Sequence, residues 1–187
     1  MIKIGITGSL ASGKTTVSKI ISRKKYPIYS ADIIVKNLYG KKAFQKKLKK
    51  KFNLLSNNSL KKDLKSLIKK DSKILDKIEK IVHPIVRIEM KKFLKKKNSK
   101  ILICEIPLLV ENKLTEYFDV TIFVSAKKVV RLRRYLLKRG SKKMFETLDK
   151  RQINPKIKKK KCDYTINNDK SLKQLKNLVG KTIARYE

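Results

Sequence analysis

Tryptophan is absent from this 187-residue chain, and aromatic residues make up only 7% of it. Proteins that hold single-stranded nucleic acid stack bases on aromatic side chains set among basic ones. No such interleaving stands out here. Cysteine is nearly as scarce. Cys104 and Cys162 have no metal-ligand spacing and do not indicate a disulfide framework, so a reducing, cytoplasmic setting is expected. No apolar run approaches the roughly 18 residues that a membrane-spanning helix needs, and no membrane partner is expected. Ser9-Leu10-Ala11 imitates a signal-peptide cleavage site. The apolar stretch before it is short and broken by Gly5 and Gly8, which argues against that reading. Acidic residues are also few: 15 Asp and Glu stand against 51 Lys and Arg, a formal net charge of +36 at pH 7.

Hydrophobic residues reach 41% and charged residues 35%, which excludes simple charge-driven disorder. The length suits one domain with a sizeable core. The charge invites a nucleic-acid partner. However, lysines occur throughout, in runs such as Lys46-Lys47, Lys49 to Lys51, Lys95 to Lys97 and Lys158 to Lys161. That spread reads as a solvated surface with the lysine bias of an AT-rich genome. Specific nucleic-acid binding is therefore not expected, while the same field would attract any polyphosphate substrate. No pattern specifies an oligomeric state.

Along the chain, Ile2 to Ile6 reads as a buried strand, followed by a glycine-rich turn and a helix from Lys14 to Arg23. Tyr26 to Ser30 reads as a second strand. Residues 31–97 read as mostly helical. Ile74, Ile78, Ile81, Val82, Ile85 and Ile88 mark one apolar face, and Pro84 is expected to kink or divide that helix. Ile101 to Ile106 and Val120 to Val124 are near-continuous apolar runs that fit central strands covered on both faces. Lys127 to Arg139 reads as a basic helix, Tyr164 to Ile166 as a last strand, and Leu172 to Tyr186 as a closing helix. Strands alternating with helices specify an α/β fold with a parallel sheet.

Gly8-Ser9-Leu10-Ala11-Ser12-Gly13-Lys14-Thr15 fits G-x-x-x-x-G-K-[ST] without a mismatch, between a strand and a helix as this motif requires. Gly8 and Gly13 bring backbone N–H groups near phosphate oxygens, together with those around Ala11 and Ser12. The helix start adds its dipole. Lys14 reaches the outer phosphates, the Thr15 hydroxyl is a Mg²⁺ ligand, and Thr16 completes the loop. Chemistry on a nucleoside triphosphate follows. No N-K-x-D base-reading motif of the GTPase type is present.

A kinase further needs a group for the acceptor hydroxyl and cations for the transferring phosphoryl group. Asp32 follows the second strand at the end that faces ligands in such sheets, and is either a general base or the N-cap of a helix at Ile33 to Leu38. His83, the only histidine, has Arg87 one turn on, so both can face one anionic group, unless His83 is simply structural. Arg131, Arg133, Arg134 and Arg139 concentrate arginine in a chain that otherwise uses lysine. This suits planar, bidentate phosphate contacts, although some of the four fit a solvated helix face. Arg151 and Gln152 follow a segment suited to a hinged lid that excludes water.

Taken in order, Ile4 to Ser9 running into Ser12 to Thr15, Ala31-Asp32, His83-Pro84, Ile106-Pro107-Leu108-Leu109-Val110-Glu111 and Cys162 to Asn168 resemble the dephospho-CoA kinases. The resemblance covers residues 2 to 170. It implies ATP-dependent phosphorylation of the ribose 3′-hydroxyl of dephospho-CoA, with ATP and Mg²⁺. It implies a five-stranded parallel sheet of the P-loop NTPase type flanked by helices (core 1–31, 98–127 and 156–187), a helical substrate-binding insertion at 32–97 and a helical lid at 128–155. It assigns Asp32 as general base, His83 and Arg87 to the acceptor pocket, and Arg139 to the lid. Where the family usually has Asp before the Ile-Pro-Leu-Leu segment, this chain has Glu105, still able to reach a Mg²⁺-bound water. Lid Arg-Asp is here Arg139-Gly140, and the next lid arginine is replaced by Leu148, with Arg151 as its candidate substitute. The resemblance implies a mainly structural part for Glu111. Two other readings remain at this point: a kinase for another small acceptor, and a nucleic-acid-binding protein switched by ATP.

Overall fold

The computed structural model describes residues 1–54, 59–71 and 73–186. They divide into two compact units, Met1–Ser30 with Leu94–Glu187, and Ala31–Phe93.

The first unit holds the sheet. Strands β1 (Ile2–Gly8), β2 (Ile28–Ser30), β3 (Ile101–Glu105), β4 (Val120–Ser125) and β5 (Tyr164–Asn167) pair in the order β2-β3-β1-β4-β5, every pair parallel. All of β3, β1 from Ile4 onward and β4 as far as Val124 are buried, as uninterrupted apolar strands require. Helices α1 (Lys14–Ser22) and α9 (Leu172–Ile183) cover part of the sheet. Their Val17, Ile21, Leu175, Val179 and Ile183 join the core of Ile4, Ile6, Ile103, Ile122 and Val124. Truncating one such residue, Ile103→Ala, costs ~2–5 kcal/mol, a large part of a domain's stability. Asp163 fixes the entry to β5, because its Oδ2 accepts from the Thr121 N–H and Oγ1, both at 2.7 Å. The register sets Glu105 opposite Ile6 and Ser30, at the carboxyl ends of the strands.

Helix α6 (Lys128–Leu137) is shorter than expected. Its C-terminus is closed by the Arg139 N–H to the Leu136 carbonyl (2.9 Å) and the Gly140 N–H to the Tyr135 carbonyl (3.2 Å), with Arg139 left-handed at φ 59°. Two further helices follow: α7 (Lys142–Lys150), within the helical lid that the resemblance implies at 128–155, and α8 (Pro155–Lys160), which was not expected. Ser141 caps the first through the Met144 N–H and Asn154 the second through the Lys156 N–H. Lysine-rich sequence gives α8 little apolar periodicity, so its cap is the legible signal, whereas α7 also carries an apolar side at Met144, Phe145 and Leu148.

The second unit is helical: α2 (Ala31–Gly40), α3 (Lys42–Lys51), α4 (Leu60–Lys70) and α5 (Lys73–Leu94), around Leu38, Phe44, Leu48, Leu64, Ile78 and Val82. Pro84 does not divide α5, which runs through it. The proline's missing N–H and ring clash cost ~3 kcal/mol. Packing of Ile74, Ile78, Ile81, Val82, Ile85 and Val86 on both sides of the proline opposes that cost, and Pro84 itself is exposed. Ile88, expected on the same face, is exposed instead. Among the described residues, no helix is long and apolar enough to cross a membrane.

Candidate functional site

The turn between β1 and α1 has the backbone that a phosphate cradle needs. Ala11 (φ 57°) and Gly13 (φ 97°) both adopt the left-handed region. A Cβ on Gly13 would lie 2.2 Å from Asn168 Nδ2, and one on Gly8 would lie 2.4 Å from the Val124 carbonyl oxygen, so neither position accepts a side chain. Helix α1 starts directly at Lys14 with no acidic residue in its first turn. Its N–H groups and dipole therefore act on whatever anion enters. The Ser12 Oγ is buried without a hydrogen-bond partner, and offers one more donor at the same place.

Lys14 is buried, and its ammonium donates to the carbonyls of Gly8 (3.3 Å) and Ser9 (3.2 Å), which hold it over the loop. Thr15 Oγ1 donates to Glu105 Oε1 at 2.7 Å. This pair of hard oxygen donors fits Mg²⁺, which takes one or two protein oxygens and completes its shell with phosphate and water. Among the described residues no group of three or more His, Cys, Asp or Glu could hold a metal by itself. Thr16, at the end of the loop, is exposed, and its N–H donates to the Gly13 carbonyl at 3.0 Å.

Several side chains that support the loop were not foreseen. Asn168 Nδ2 donates to the Ser12 carbonyl (2.8 Å), and Arg134 reaches the same carbonyl and Asn168 Oδ1 (both 3.4 Å). The Leu10 N–H donates to Gln152 Oε1 at 3.0 Å. Arg131 does form the bidentate pair that its chemistry favours, but with Asp149 (2.5 and 3.3 Å), while also donating to the carbonyls of Ala126 and Leu10. It is buried in that role, whereas Arg133, Arg139 and Arg151 are exposed.

Lys158 corrects the reading of its run as solvated surface. It is fully buried, pairs with Glu111 at 2.6 Å and donates to the Pro107 carbonyl at 3.2 Å. Thr7 Oγ1 donates to that carbonyl too, and Glu111 Oε1 accepts from the Ile153 N–H. Burial pushes the Cys104 thiol far above its usual range and Cys162 up to about 11. Both therefore stay protonated and unreactive near neutrality.

In the second unit Asp32 is exposed at the second position of α2. That helix begins at Ala31, so the N-cap alternative for Asp32 does not hold. Its carboxylate lies in the first turn, where the helix dipole favours negative charge. His83 is half-buried and Arg87 exposed, one turn apart on α5.

The family model for dephospho-CoA kinase matches residues 2–174. A dephospho-CoA kinase of Fusobacterium nucleatum is 32% identical over 177 residues, covering 92% of each chain. One from Bartonella henselae is 30% identical over 182 residues, covering 94% of this chain and 93% of its own. Among solved structures, a Thermus thermophilus protein superposes with a TM-score of 0.81 at 26% identity, covering 98% of this chain and 97% of its own. A shikimate kinase of Bacteroides thetaiotaomicron shares the fold at a TM-score of 0.57 and 16% identity, over 98% of this chain and 97% of its own.

Proposed function

The chain belongs to the dephospho-CoA kinase family, and from that membership we propose how its residues carry out the reaction. The activity is that of a kinase in the last step of coenzyme A synthesis, phosphorylating the ribose 3′-hydroxyl of dephospho-CoA at the expense of ATP. The observation that carries the reading is the match across residues 2–174 with an intact phosphate loop.

ATP lies with its phosphates along Gly8 to Thr16. Lys14, already aimed into the loop by two carbonyls, neutralises charge on the transferring phosphoryl group. Thr15 and Glu105 would hold Mg²⁺, which supplies Lewis-acid charge neutralisation when bound. Asp32, two residues beyond the end of β2, accepts the proton of the acceptor hydroxyl. His83 and Arg87 bind the acceptor through its anionic groups. Residues 31–93 form the acceptor unit. Helices α6 and α7 form the lid, with Arg139 as its phosphate contact and Arg151 as a candidate second one. The buried, protonated thiols suit a reducing cytoplasm.

A panel of acceptors tests the assignment. ATP consumption with dephospho-CoA is expected to exceed that with any nucleoside monophosphate by at least two orders of magnitude. Faster turnover of a nucleotide would assign the protein a different acceptor.

A further inference from the structure

One residue of the phosphate loop, Leu10, is gripped on both sides by side chains distant in sequence. The Leu10 N–H donates to Gln152 Oε1 at 3.0 Å, and the Leu10 carbonyl accepts from Arg131 Nη1 at 3.3 Å. The two gripping side chains are themselves joined. Arg131 holds Asp149 through both carboxylate oxygens, and the Asp149 carbonyl accepts from the Gln152 N–H at 3.2 Å. The Phe145 ring lies under the Arg131 guanidinium, 5.5 Å from its centroid. On the other side of Gln152, the Ile153 N–H is fixed by Glu111, which is held by the buried Lys158. The chain around Gln152 is thus anchored at Asp149, Ile153 and Lys158, and its amide points at the loop with little freedom.

What it holds there is strained. Ala11, next to Leu10, has φ 57° although it carries a Cβ. Such a conformation persists only where the surroundings over-determine it. Fixing the peptide groups on both sides of Leu10 does this, since the φ of Ala11 is then the next free rotation that can turn the chain toward Ser12. The direction of the loop's N–H groups depends on that turn.

We propose that Gln152 is a positioning residue for the phosphate loop: its amide oxygen, anchored by the end of α7, fixes the Leu10 N–H and the left-handed turn at Ala11. The ATP-binding shape of the loop is then set by a segment 142 residues away in sequence, and the lid helix α7 and the nucleotide cradle act together. The inference rests on the kinase reading for its consequence in catalysis. Its geometric content concerns nucleotide binding alone.

The test compares Gln152→Leu, of similar size but with no acceptor, with Gln152→Glu, which keeps one. Amide hydrogen exchange at Leu10 is measured with titration of a fluorescent ATP analogue and steady-state kinetics. In Gln152→Leu, Leu10 exchange should accelerate at least tenfold, affinity for the analogue should weaken about tenfold, and KM for dephospho-CoA should hold. In Gln152→Glu, Leu10 should remain protected. If Gln152→Leu fails to fold, Gln152→Met removes the same acceptor and is read in the same way. Unchanged Leu10 exchange or unchanged analogue affinity in the acceptor-less variant would overturn the proposal, and so would loss of Leu10 protection in Gln152→Glu. The titration needs no acceptor substrate. A wild-type protein that binds the analogue but leaves dephospho-CoA untouched would count against the kinase reading and not against the clamp.

Discussion

Arg139 illustrates the tension between folding and function at a single residue. It occupies the left-handed position after α6, with φ 59°, where glycine is the usual choice. A side chain there costs ~1–2 kcal/mol. The proposed lid role would give that exposed arginine a use for its charge, although Arg23, Lys24 and Lys113 adopt the same backbone region outside the lid. Arg139→Gly should raise Tm by roughly 2–4 °C and lower kcat by about two orders of magnitude. A more stable protein with undiminished kcat would remove Arg139 from the phosphates. Asp32 makes the complementary case: it is exposed, early in α2, and no longer explained as a cap. Asp32→Asn should cut kcat by about 10²–10⁴-fold while leaving ATP affinity nearly intact, because general-base catalysis is worth that much. Wild-type turnover in this variant would reject the base assignment.

At the scale of elements, the sequence was most legible where chemistry and structure are local. The phosphate loop could be read whole, since its eight residues are contiguous and lie between a strand and a helix that their own patterns specify. The apolar runs at Ile101 and Val120 gave two central strands for the same reason. What could not be read were the long-range polar contacts. Lys158 stood in a run of four lysines with nothing to distinguish it, yet it alone of that run is buried. Arg131 was one of four arginines suited to bidentate contacts, and its pairing with Asp149 could not be read because Asp149 becomes its neighbour only through the packing of α6 against α7. Pro84 does not divide α5, because packing on either side of it outweighs the local rule. The Lys158–Glu111 pair supplies a test of how α8 is held. Lys158→Met should destabilise by about 3–5 kcal/mol by leaving a buried carboxylate unpaired, and adding Glu111→Gln should recover most of the loss. Denaturant titration reads both. A double variant no more stable than the single one would show that the pair is not the anchor.

Over the whole molecule the charge of +36 acquires a smaller role than its size suggests. Buried members of the basic set, Lys14, Arg131 and Lys158, have specific partners. Most of the remainder is solvent-facing and contributes a positive field. That field favours arrival of two anionic substrates. The value of kcat/KM should fall several-fold as salt rises from about 10 to 150 mM, over which the screening length shrinks from about 30 to 8 Å, while kcat stays nearly constant. A flat profile would leave the charge without a catalytic consequence. The central claim concerns one transfer: a phosphoryl group from ATP, held by the loop at Gly8 to Thr16, onto one hydroxyl of dephospho-CoA. The most direct measurement incubates the purified protein with ATP, Mg²⁺ and dephospho-CoA, counts ADP against phosphorylated product, and locates the new phosphate by phosphorus NMR. The account predicts one CoA per ADP with the phosphate on the ribose 3′ position. ADP released without CoA, or a phosphate on another atom, would contradict it.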